Sequence, residues 1–169
     1  GREERIKSNE NHYQNYRPVI RGQAETFKAL NGDNIIATKV EGYGNDVYVS
    51  ENVSIKPKAL HNLNKATGTA ADKFGIDENK KPTLLVAKSE EINGSLARYD
   101  AVNNVIAYSP EIGDRAKAIS LQQGQAAGND MYSTPFHEMY HCKQAQDYEA
   151  KHGKITADNC SEYIRELRA

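Results

Sequence analysis

The segment His137-Glu138-Met139-Tyr140-His141 constrains this chain more than any other five residues. Two imidazoles four positions apart fall on one side of an α-helix, about 40° apart around the axis and about 6 Å along it. Both rings can then ligate one tetrahedral metal ion, Zn2+ above all, at about 2.0–2.1 Å. Glu138 directs its carboxylate toward the open side of such a metal. There it can take a proton from bound water and pass it to a leaving amine. The pattern therefore predicts a helix carrying His137 and His141 as metal ligands and Glu138 as general base. The plainer alternative is two surface histidines in ordinary i,i+4 contact.

The flanking residues support the helix. Ser133-Thr134-Pro135 is a start signal, a hydroxyl cap with proline in the first turn. Phe136, Met139, Tyr140, Ala145 and Tyr148 then recur at roughly helical spacing until Gly153 breaks the pattern. Beyond it, Thr156, Asp158 or Asn159 can cap a last helix with Tyr163, Ile164 and Leu167 on one face.

Upstream, Gln23 to Leu30 is expected to form a short helix, stopped by Asn31-Gly32-Asp33, and Ile35-Ile36-Ala37 a short strand. Asp46 to Val49 reads as a strand after the turn cluster Gly42-Tyr43-Gly44-Asn45. Pro57 opens a helix whose apolar positions are Leu60, Leu63, Thr67, Ala70 and Phe74, closed by Gly75. TLLVA (83–87), SLARY (95–99) and VIAY (105–108) are three further strands, the last two joined as a hairpin through Asp100 to Asn104. The stretch 111–128 is helical or irregular. These elements predict an α+β fold: a small, mostly antiparallel sheet with a helix before it, then the motif helix and a following helix. Residues 1–40 read as an arm or linker, and 41–169 as the domain.

A catalytic zinc site takes a third protein ligand. The extended pattern HExxHxxGxxH fails here, because Gln144 and Asp147 stand where it needs glycine and histidine. A carboxylate from the last helix is the alternative. Glu162 is the favoured residue, with Glu166 one turn further, and Glu149, His152 and Asp158 behind them. Glu162 also fits a capping box as Asn159-Cys160-Ser161-Glu162, reaching back to the helix start. Tyr132, Tyr148 and Tyr163 are candidates to polarise a carbonyl, although each reads first as a packing aromatic. Cys142 points about 100° away from His141 around the helix and is set aside as a ligand.

Composition narrows the partners. Lys and Arg number 22 against 23 Asp and Glu, for a net charge of −1, so no basic excess supports nucleic-acid binding. No apolar run reaches the roughly 18 residues of a membrane span. Two cysteines, Cys142 and Cys160, are too few for a disulfide framework. They read as reduced thiols of a cytoplasmic or virion-associated protein. Gly1 in place of a start methionine is expected of a piece of a longer protein.

With HEMYH in this setting the chain resembles the zincins, the metallopeptidase superfamily built on the HExxH helix, and within them the gluzincin branch. That resemblance implies a zinc-dependent peptidase acting on a protein or peptide, with His137, His141 and Glu162 on the metal and Glu138 as base. It also implies that an edge strand lines the cleft and pairs with extended substrate, for which the SLARY/VIAY hairpin is the natural candidate. More loosely, GYGNDVYVSENVSIKPKALHNLN with TPFHEMYHCKQAQDYEAKHGKITADNCSEYIREL is similar to C-terminal domains of phage head-morphogenesis (minor capsid) proteins and toxin-like modules. Capsid components are the partners that similarity implies. A non-catalytic domain that keeps the fold, and a metal-dependent hydrolase of a non-peptide bond, are the two alternatives.

Overall fold

The structure is a computed structural model, and it describes residues 24–28, 34–112 and 134–168. The stretch 113–128, most of the segment expected to be helical or irregular, lies outside them, as do His12 and Tyr132. The fold is α+β. In chain order it runs β1 (Ala24–Lys28), β2 (Asn34–Lys39), β3 (Val47–Ser50), α1 (Pro57–Lys73), β4 (Thr83–Val86), β5 (Ala97–Asp100), β6 (Val105–Tyr108), α2 (Thr134–His152) and α3 (Cys160–Arg168). Short 3-10 turns at Glu78–Lys80 and Ser89–Ile92 flank β4.

The six strands form one mixed sheet in the order β1-β2-β3-β4-β6-β5. Antiparallel ladders join β1 to β2, β2 to β3 and β5 to β6, whereas β3–β4 and β4–β6 are parallel. Two expectations need correction. The first helix does not precede the sheet. It is the crossover between β3 and β4, and a crossover is what a parallel pair requires. Within the segment expected as a helix at 23–30, Ala24–Lys28 is strand β1, held by five register pairs to β2 from Ala24↔Thr38 to Lys28↔Asn34. The sheet thus begins within residues 1–40, before the expected boundary of the domain.

Alternation along the central strands divides the core. Val47, Val49, Leu84, Val86, Ile106 and Tyr108 face one side, where Leu60, Leu63, Ala66 and Ala70 of α1 and Phe136, Met139 and Cys142 of α2 cover them. Tyr48, Leu85, Val105 and Ala107 face the other side with Ile35, Ala37 and Ile92. Strands buried on both faces read as continuous apolar runs, which is why TLLVA and VIAY are so uniformly hydrophobic. The end of α1 is fixed by Gly75, at φ +65°, with the Ile76 N–H donating to Ala71 O at 2.9 Å. Its small buried residues, Ala59, Ala66, Ala70 and Ala71, let the helix lie close on the sheet.

Helix α2 lies across the sheet near its β5 edge and packs on both α1 and β5. Its buried stripe is Phe136, Met139, Cys142 and Ala145, spaced by three, which turns His137 and His141 away from the core. Gly153, at φ +87°, ends it. The chain then doubles back into α3, where Tyr163, with Ile155 of the connecting segment, docks on Ala145 and Tyr148. Among the described residues no helix is long and apolar enough to cross a membrane.

Candidate metal centre

The two histidines converge. Nε2 of His137 and Nε2 of His141 lie 3.0 Å apart, with the rings edge to face at a centroid distance of 4.5 Å. His141 Nδ1 lies 3.0 Å from Gln144 Oε1. With Gln144 Oε1 accepting, the contact suits the His141 tautomer that carries its proton on Nδ1 and a lone pair on Nε2. This tautomer suits a ligand, because metal-binding histidines ordinarily hold the distal ring nitrogen in such a bond. Burial, and then the neighbouring His141, hold the His137 imidazole below its usual pKa, which favours the neutral ring that a metal requires.

Glu138 sits beside the pair and is 6% exposed. No hydrogen bond joins it to another described residue, and it lines the cleft. Burial raises its pKa, while His141 and Arg98 pull the other way. A buried carboxylate is expensive, and such groups concentrate where chemistry needs a base.

The cleft has a volume of about 430 Å3. Its floor carries Glu138 and His141, one wall is edge strand β5 with Arg98 and Tyr99, and the other is α3 with Tyr163, Ile164 and Leu167. Ile164 and Leu167 are 42% and 44% exposed, so this wall offers apolar surface to whatever enters. Arg98 is the one cation of the lining, and no ion pair joins it to a described carboxylate. Sequence reasoning missed Arg98 and the part played by Gln144. The only available signals were Arg98's place in a strand beside the cleft and Gln144's spacing of three from His141.

The third ligand is different. The face of α3 turned to the cleft carries Cys160, Tyr163, Ile164 and Leu167, which leaves Glu162 on the exposed side of that helix. Glu162 instead lies near Tyr148, whose phenol is pushed up by burial and by the Glu166 and Glu162 carboxylates. Glu166 contacts His152 at 3.5 Å, and Glu149 accepts the Ile155 N–H at 3.2 Å. Asp158 is exposed. Among the described residues no group of three His, Cys, Asp or Glu side chains comes together as a metal cage. Nor does Glu162 act as the expected cap, because the Asn159 N–H goes to Thr156 Oγ1 at 3.4 Å while Asn159 Oδ1 accepts from the Thr156 N–H at 2.7 Å.

Two predictions arise here. Glu162→Ala is expected to leave zinc affinity within about twofold, well under the tenfold that 1.4 kcal/mol represents. A competition titration showing a tenfold or greater loss would restore Glu162 to the ligand set. Gln144→Leu keeps the side-chain bulk but frees His141 Nδ1. It is expected to weaken zinc binding by about 10–100-fold, the usual cost of losing such a partner, and an unchanged dissociation constant would show the contact to be idle.

Tyr148 and Tyr163 pack on each other at 4.9 Å between ring centroids, so the packing role fits both, although Tyr163 also lines the cleft. Cys142 is fully buried, its thiol pushed up to about 11 chiefly by burial, which agrees with setting it aside as a ligand. Both cysteines are free thiols. Comparison with protein families, with curated proteins and with solved structures finds no match to the chain.

Proposed function

We propose that this chain is a zinc-dependent peptidase domain of zincin-like architecture, in which His137 and His141 hold Zn2+ and Glu138 is the general base. The observation that carries the reading is the convergence of two Nε2 atoms at 3.0 Å, with His141 and the buried Glu138 lining an open cleft. The donor set fits the metal as far as it goes: two imidazole nitrogens meeting at one point, one of them on a ring oriented by Gln144. Zinc in such a site supplies a water acidic enough to lose a proton near neutral pH. Glu138, whose pKa burial raises, would be the residue that takes up a proton there and hands it to the departing amine. Among the described residues strand β5 pairs with β6 alone, an edge of the kind an extended peptide can join. Arg98, beside Glu138, is placed to meet negative charge in the cleft.

The loose similarity to phage head-morphogenesis domains supports a place within a larger phage-related protein, with capsid proteins as partners. The non-catalytic domain that keeps the fold is the second reading. Zinc analysis of the purified protein and peptide-library hydrolysis, each with and without chelator, decides between them. The peptidase reading expects about one zinc per chain and cleavage that chelator removes and added zinc restores. Bound zinc without any cleavage supports the non-catalytic domain, and absence of both removes the metal reading altogether.

A further inference from the structure

We propose that Asn104 is a positioning residue, whose side chain ties the helix carrying His137, Glu138 and His141 to the strand that borders their cleft. For its bearing on catalysis this inference rests on the peptidase reading above. Asn104 closes the β5–β6 turn at φ +55°, a left-handed conformation that asparagine tolerates better than most side chains. Its Oδ1 accepts the Tyr99 hydroxyl at 2.7 Å, and the Cys142 thiol lies 3.6 Å from the same oxygen. Its Nδ2 donates to Lys80 O at 2.9 Å. Gln146 Nε2 donates to that carbonyl at 2.8 Å and lies 3.5 Å from Cys142 Sγ. Edge strand, turn, 3-10 segment and motif helix therefore meet at two oxygen atoms.

The members of this network adjoin the candidate site without entering the chemistry. Tyr99 follows Arg98 on the cleft wall, and Cys142 follows His141 on α2. Burial holds the Tyr99 phenol far above its usual pKa, so it stays a donor at any working pH. Apolar packing alone would resist separation of β5 from α2 but would tolerate sliding and rotation. Hydrogen bonds are directional, so they fix both. The distinction matters because a misplacement of about 1 Å between substrate and catalytic group can cost about 10²-fold in rate. The turn has its own anchor, the Thr83 N–H donating to Asn104 O at 3.0 Å, so the side chain is free to serve the junction.

Asn104→Gly tests this directly, since glycine accepts the positive φ and keeps the backbone bond while losing the amide. Tyr99→Phe removes a single hydroxyl and is the milder companion. Zinc affinity, amide exchange of β5 relative to α1, and kcat/KM are compared where every protein is fully folded. Zinc affinity is expected within about threefold of the parent, because both histidines ride on one helix. Protected β5 amides are expected to exchange at least about tenfold faster with α1 unchanged, a local loosening. The corresponding fall in kcat/KM is about 10–100-fold, with the double variant no worse than the poorer single one, as expected of residues acting as a unit. Unchanged β5 exchange, or exchange rising uniformly over the chain while kcat/KM holds, would overturn the assignment and leave Asn104 a general stabiliser. So would a parallel loss of zinc. A parent that cleaves no peptide sinks the peptidase reading alone, and the exchange and zinc measurements still decide whether Asn104 holds the junction.

Discussion

Replacing Glu138 by glutamine is expected to lower peptide hydrolysis by about 10²–10⁴-fold, the usual contribution of a positioned general base, while zinc content stays at the parent level. The amide matches the carboxylate in volume and so preserves the packing around a residue that is 6% exposed. It cannot accept a proton, and that is the function at stake. A second consequence separates this variant from mere damage. Burial raises the Glu138 pKa in the folded protein above its unfolded value. A carboxyl shifted upward stabilises the fold only at low pH, and that contribution is lost as pH rises through the folded value. At neutral pH the ionised carboxylate of the metal-free protein therefore weighs against folding. Metal-free Glu138→Gln should melt above the metal-free parent at pH 7, with about 2–4 °C for each kcal/mol gained in a chain of this size. The gap should close as pH falls through the carboxylate range. Steady-state hydrolysis at the parent rate would show that Glu138 is not the base, and a lower melting temperature would show that its carboxylate is held by bonds the glutamine cannot replace.

The elements that local pattern determines are the ones the sequence reveals. Helix α2 is legible because cap, apolar stripe and terminal glycine all lie within twenty residues and agree. The β5–β6 hairpin is legible for the same reason. Strand β1 is not. Ala24-Glu25-Thr26-Phe27-Lys28 carries residues that suit a helix as well as a strand, and only its pairing with β2 decides the matter. The parallel order around β4 is hidden likewise, since it depends on partners far along the chain. At the candidate site, His137, Glu138 and His141 are legible because one helix fixes their relation. The third ligand asks for more. Spacing brings Glu162 back near α2, but the phase of α3 sets its direction, and each residue turns it by 100°. With Tyr163 docked on Tyr148, that phase presents Ile164 and Leu167 to the cleft rather than Glu162. The junction at Asn104 is likewise invisible, since its partners at 80, 99, 142 and 146 belong to separate elements.

His141→Ala is expected to abolish stoichiometric zinc without unfolding the protein. Structural zinc sites bind with roughly 10–16 kcal/mol shared among four ligands, so one ligand represents about 3 kcal/mol, or about 10²-fold in affinity. This site draws two of its ligands from a single turn of helix, and losing either leaves a lone imidazole with no chelate partner. The fold should survive. The His141 ring is only half-buried, and its polar contacts are with His137 and Gln144, both on the same helix. The core beneath is made by Phe136, Met139 and Cys142, which the substitution does not touch. Elemental analysis under metal-replete conditions should therefore fall from about one zinc per chain to near zero, while the melting temperature of the metal-free form stays within about 2 °C of the parent, as for other exposed substitutions. Only the metal-loaded parent should gain stability from zinc, since a ligand stabilises the state that binds it. Equal zinc content in the two proteins would mean that the metal lies elsewhere, and the 3.0 Å approach of the two imidazoles would then be an ordinary hydrogen bond between neighbouring turns.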